Sequence, residues 1–149
     1  MGEKSVRIQS EDFDPGSETK ALTQGRTDVG AVVTFVGIVR GDDALKAMRL
    51  EHYPAMTSRE IEAHIEEAET RWPLLGVRVV HRVGTLQPGD NIVFVGVASA
   101  HRHAAFEAAS FLMDYLKTNA PFWKFEERDQ GGDWVKSRSE DEAALKRWR

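Results

Sequence analysis

The chain interleaves short β-branched apolar runs with longer segments whose apolar positions recur at helical spacing. Val6 and Ile8 alternate with polar neighbours, which predicts a first strand over Lys4–Gln9 with both side chains inward. Glu11–Gly25 is polar and turns at Pro15-Gly16, with a short helix expected over Glu18–Thr23. Val29–Arg40, VGAVVTFVGIVR, is apolar on both faces and predicts a buried central strand. Gly37 inside it marks a bulge or a close backbone approach. Met48–Tyr53 reads as a further strand. Thr57 and Glu60 form a capping-box pattern, followed by Ile61, Ile65, Ala68 and Trp72 at helical spacing and by Pro73 as a stop. Val77–Gly84 and Asn91–Ser99 predict a hairpin around Gln87-Pro88-Gly89-Asp90, where Pro then Gly suits a type II turn. A helix over His101–Thr118 is expected to bury the stripe Phe106, Ala109, Met113 and Leu116. Phe122–Arg128 reads as a strand, Gly131-Gly132 as a turn and Trp134–Lys136 as a short last strand. Ser139 and Glu142 cap a terminal helix ending at Trp148.

Strands and helices mix without a strict βαβ alternation, which indicates an α+β fold with a mixed, largely antiparallel sheet. No linker, repeat or low-complexity tract divides residues 1–149, so one domain is expected. There is no cysteine, which excludes disulfides, thiolate nucleophiles, persulfide carriers and cysteine-ligated metals. The formal net charge of -4 argues against a general nucleic-acid binder, while leaving room for a local basic pocket. No apolar run approaches the ~18 residues of a membrane span, and the N-terminus lacks a signal-peptide core. A cytoplasmic location without membrane attachment is the expectation.

The candidate chemistry concentrates between Ser99 and Lys124, SAHRHAAFEAASFLMDYLKTNAPFWK. His101, Arg102 and His103 open a helix, the end where cations are unfavourable. Two readings stand: an anion site built on free N–H groups and the Arg102 fork, or a solvated first turn whose histidines cap neighbouring carbonyls. Lys117 lies in the last helical turn, where a cation favours the dipole. Lys124 alternates onto the face of Phe122, and its aromatic surroundings suit either a usable base or a snorkelling side chain. Arg40 ends the apolar strand; Arg82 and Arg138 are further basic candidates. His101 and His103 do not share a helix face, and His52, His64 and His81 lack ligand spacing, so no metal site is expected. No GxGxxG, P-loop, nucleophile elbow or paired-carboxylate motif occurs. The residues alone thus indicate an anion pocket with one or two lysines for proton transfer or nucleophilic attack.

The blocks VGAVVTFVGIVR, LEHYPAMT, RWPLLGVRVVHRVGTLQPGD, VFVGVASAHR, FLMDYLKTNAPFWK and DWVKSRSEDEAALKRW together resemble the large, catalytic subunit of molybdopterin synthase over nearly the whole chain. The resemblance implies an α+β fold with an α/β-hammerhead element, a central homodimer, and one small ubiquitin-like carrier on each subunit, making a heterotetramer. It implies a sulfurtransferase without a cofactor of its own. The carrier's C-terminal Gly-Gly thiocarboxylate inserts into the pocket and passes sulfur to cyclic pyranopterin monophosphate, giving the molybdopterin dithiolene. Lys117 matches the family's principal catalytic lysine and Lys124 its second. His101, Arg102 and Arg40 match substrate-binding positions, with Ile38, Val39, Phe125 and Glu126 flanking the pocket. Arg138 resembles an arginine reaching in from the other subunit, and Phe35 a position near the carrier's tail. The loop after Arg40, GDDALKAM, is shorter than the family's, and His103 carries no role.

Two rival classes remain on residues alone. One is a non-catalytic phosphate- or nucleotide-binding module, indifferent to Lys117→Ala. The other is an interaction scaffold docking a partner through Phe122 and Trp123. With no cysteine and with Lys146-Arg147-Trp148-Arg149 rather than Gly-Gly at its end, the expectation under the resemblance is that sulfur arrives on a partner and that this chain is not the carrier.

Overall fold

In a computed structural model, which describes residues 3–42, 45–52, 54–118, 122–128, 131–135 and 139–148, the strands form two sheets of four. The order along the chain is β1 (Glu3–Gln9), α1 (Pro15–Ala21), β2 (Ala31–Ile38), β3 (Leu45–His52), α2 (Pro54–Arg71), β4 (Leu74–Arg82), β5 (Gly84–Leu86), β6 (Asn91–Ser99), α3 (Arg102–Thr118), β7 (Phe122–Arg128), β8 (Gly131–Val135) and α4 (Ser139–Lys146). The first sheet runs β1-β4-β6-β2 and the second β5-β3-β7-β8. Among the described residues only the β1–β4 pair is parallel, so the expected α+β class with a largely antiparallel arrangement holds. No helix among the described residues is long and apolar enough to cross a membrane.

The hairpin expected around Gln87–Asp90 is present. Asp90 N–H donates to the Gln87 carbonyl at 2.9 Å and Gly89 takes φ +93°, as a type II turn requires. Its first arm divides: β4 stays beside β6, whereas β5 crosses over to pair with β3. The two sheets are joined there, and Ile92 packs against the apolar clusters of both.

Four expectations are corrected. The Val29–Arg40 run forms β2, an edge strand rather than a central one, with Phe35 and Ile38 exposed. One face packs on α3, the other meets α1 only sparsely, and none of the described strands pairs with the far edge, so an apolar run on both faces did not mean burial on both. Thr57 does not cap α2, which begins at Pro54; proline suits this place because the first N–H has no helical partner. Gly131 and Gly132 open β8 instead of forming a turn, Gly131 at φ +112°. On α3 the buried residues are Ala104, Ala105, Ala108, Ala109, Phe111 and Leu112, while Phe106 is 62% exposed. The alanines allow close approach to β6, and this turns Phe106 outward.

Gly37 justifies both readings made of it. The β2–β6 register shifts between Gly37 and Ile38, and a Cβ at Gly37 would lie 2.8 Å from Val93. On the opposite face Leu22, the residue that closes α1, sits so close to Gly96 that a Cβ there would be 2.8 Å away. Glu18 fixes α1 electrostatically. It is buried, bonded to Arg7, and paired with Arg78 at 2.9 Å. Burial pushes its carboxyl up, but the bonds from Arg7 and Arg78 outweigh this and hold it below the ordinary 4.5. A lowered pKa gives stability that is present above the unfolded value and is lost as pH falls through the folded one. Arg7 is 43% exposed, so its share is discounted for screening. Glu18→Gln is expected to lower unfolding free energy by about 2 kcal/mol at neutral pH and to flatten the acid limb, read by urea titration at several pH values.

Candidate active site

A cavity of about 270 Å³ opens where the end of β2 meets the last turns of α3. Phe35, Gly37 and Ile38 come from β2, Ile92 and Val93 from β6, His81 from β4, and Met113, Leu116 and Lys117 from α3. Helix α3 runs back along β6, so its C-terminal end returns to the start of that strand. The buried alanine face holds the helix, and Lys117 leaves its last turn exposed at the cavity.

Arg40 lies just beyond the same end of β2. The 87–90 turn holds its neighbour: Val39 N–H donates to the Asp90 carbonyl, and Gly89 N–H donates to the Val39 carbonyl, both at 2.8 Å. Arg40 itself is exposed. Val39 is 1% exposed and belongs to the core with Leu50 and Leu86, so its side chain does not face a ligand; Ile38, at 54%, does stand at the cavity mouth.

Lys124 reaches the region from the second sheet. It pairs with Leu50 and Val135 in register and is half-buried. Alternation places it on the face of Phe122, about 7 Å further along the strand. Phe122 stacks on His81 with ring centres 3.7 Å apart and 15° between planes, and His52 lies beyond it at 6.2 Å. Lys117, His81 and Phe122 therefore gather at the junction of the two sheets, and Lys124 follows Phe122 on the same face of β7. Glu126 shares the Lys124 face and pairs with Arg128 at 3.2 Å. Phe125 points to the other face, where Arg49 and Trp134 pack on its ring. Arg82 is committed to the backbone, bonding the Ser10 and Asn91 carbonyls. Arg138 lies outside the described residues.

His101 and Arg102 are not brought to this cavity within one chain. They stand exposed at the opposite end of α3, beyond Ser99, which pairs with Ala31 at the start of β2. Fifteen residues of helix separate Arg102 from Lys117, about 22 Å at 1.5 Å per residue. Cα–Cβ bonds tilt toward a helix N-terminus, so the Arg102 side chain leads away from Lys117.

The spacing of His81 fits no metal. A usable signal was present. On β4 it continues the Val77 and Val79 face, where alternation calls for an apolar core residue. It is indeed buried, and its Nδ1 lies 2.8 Å from the Arg82 carbonyl. A carbonyl only accepts, so Nδ1 carries the hydrogen. Burial lowers the imidazole pKa to about 4, helped by the nearby Lys117 charge and His52 and opposed by the bond to Arg82.

The chain matches the family model described as MoaE protein over residues 8–119. It is 57% identical over 148 residues to a molybdopterin synthase catalytic subunit of Mesorhizobium japonicum, covering 97% of this chain and 93% of that one. It is 50% identical over 151 residues to the Escherichia coli protein of the same name, covering 99% of this chain and all of the other. Among solved structures, the molybdopterin biosynthesis MoaE protein of Burkholderia ambifaria superposes with a TM-score of 0.84 at 49% identity, over 99% of this chain and 98% of that one. Similarity of this extent covers the core, the cavity and both ends of α3, and the chain belongs to the MoaE protein family.

Proposed function

We propose that this chain is the catalytic subunit of a molybdopterin synthase, a sulfurtransferase. It takes sulfur from the C-terminal thiocarboxylate of a small ubiquitin-like carrier and delivers it to cyclic pyranopterin monophosphate. The observation that carries the reading is the cavity that Lys117 enters from α3 and His81 from β4, with Phe122 of β7 stacked on His81 and Lys124 two residues further along the same face of β7. Near-full-length identity of 50% or more to relatives named for this activity supports it. Phe35 and Ile38 give the cavity an apolar entrance suited to an extended Gly-Gly tail. Lys117 and Lys124 assist sulfur attack and the proton transfer that accompanies loss of oxygen as water. Arg40 is placed to hold an anionic part of the substrate.

His101 and Arg102 serve the same substrate from a second copy of the chain. Their distance from Lys117 along α3 supports this assignment, and Phe106, one helical turn from Arg102, supplies exposed apolar surface for the contact. The working unit is then a homodimer carrying two small subunits. Mixing the protein with thiocarboxylated carrier and pterin precursor should yield molybdopterin, followed as its fluorescent oxidation product. A carrier ending in an ordinary carboxylate should yield none. Binding of the pterin without turnover would instead favour the non-catalytic phosphate-binding module.

A further inference from the structure

His81 is a buried polar side chain that the two-lysine mechanism does not use. It occupies a core position of β4, yet it lines the cavity that Lys117 enters. Two contacts fix its ring. The Arg82 carbonyl takes the Nδ1 hydrogen at 2.8 Å, and Phe122 lies flat against the imidazole at 3.7 Å. The ring can neither flip nor change tautomer without losing one of them. Nε2 is then the remaining polar atom, and in this tautomer it is an acceptor.

We propose that His81 is a positioning residue for Lys117, a fixed imidazole whose Nε2 lone pair is offered to the cavity and orients the lysine ammonium toward the reacting atoms. The groups facing the ring suit this role. Lys117 approaches from α3, His52 lies behind Phe122 on β3, and Lys124 shares the Phe122 face of β7. Glu126, the carboxylate on that face, is engaged by Arg128. Burial, helped by the Lys117 charge, lowers the imidazole pKa to about 4, so the ring stays uncharged and keeps its acceptor. A phenylalanine would stack equally well on Phe122 but would offer Lys117 nothing. A glutamine places an amide oxygen near the Nε2 position.

The inference rests on Lys117 carrying the chemistry, and its test separates the two. Imidazole nitrogen NMR of the wild-type protein should show an Nδ1–H tautomer. In Lys117→Met, which removes the charge from an exposed helix end, the His81 titration should rise by about half a pH unit or more. That shift needs no turnover, so it stands or falls apart from the sulfur-transfer reading. In the complete assay, His81→Phe should lower kcat about tenfold with KM for the pterin within about twofold, while His81→Gln stays within about threefold of wild type. Wild-type turnover in the phenylalanine variant, equal impairment of both variants, or a His81 titration indifferent to Lys117→Met would each overturn the proposal. Should His81→Phe fail to fold, the tautomer and the titration decide.

Discussion

Lys117→Ala is expected to lower molybdopterin formation by about a hundredfold or more while the protein stays folded and continues to bind its carrier. The separation of activity from stability follows from where the residue sits. Helix α3 is held by Ala104, Ala105, Ala108, Phe111 and Leu112, all away from Lys117. Alanine propagates a helix at least as well as lysine, and loss of a cation at the C-terminal end costs about 0.5 kcal/mol. The thermal midpoint should therefore hardly move. Single-turnover assays with thiocarboxylated carrier read the activity, and a pull-down or calorimetric titration reads carrier binding. Near-normal turnover in this variant would remove the assignment of Lys117. The phosphate-binding alternative predicts that indifference, so one variant separates an enzyme from a binding module.

A mixture of Lys117→Ala and Arg102→Ala proteins should recover about a quarter of wild-type activity after subunit exchange, although each alone is nearly inactive. Half of the randomly paired dimers are mixed, and in each mixed dimer one of two sites joins an intact Lys117 to an intact Arg102. The prediction comes from the length of α3. Some 22 Å of helix lies between the two residues, so one chain cannot close both on a small ligand. If both residues acted from the same chain, every site in the mixture would carry a defect and no activity would return. The fraction recovered, measured against the mixing ratio, distinguishes these outcomes.

Much of the architecture was legible because hydrophobic period is a local property. The Ile61, Ile65 and Ala68 stripe is buried as its spacing predicts. The Pro88-Gly89 turn has the geometry its residues require, and Phe122–Arg128 is a strand over its predicted span. The errors have a common origin. Val29–Arg40 is apolar enough for a sheet interior, but rank within a sheet depends on which strands flank it, and among the described strands only β6 flanks β2. Phe106 fitted a helical stripe with Ala109 and Met113, but small alanines one turn away let the sheet approach from another side. Thr57 matched a cap pattern three residues inside a helix that Pro54 had already begun.

The sequence by itself determined the chemistry on offer: no thiol, a cationic SAHR motif, and two lysines on either side of a helix break. It also determined the type and order of most elements and the bounds of β6 and β7, since side-chain size, branching and turn residues act over a few positions. Only the tertiary structure decided which of those groups meet. The return of α3 along β6 and the stacking of Phe122 on His81 bring the end of α3, β4 and the start of β7 to one junction. The same rigid helix that delivers Lys117 to the cavity carries Arg102 away from it. The stretch from Ser99 to Lys124 thus holds its candidate groups at opposite ends of one helix, because a helix converts sequence separation into distance along a single axis.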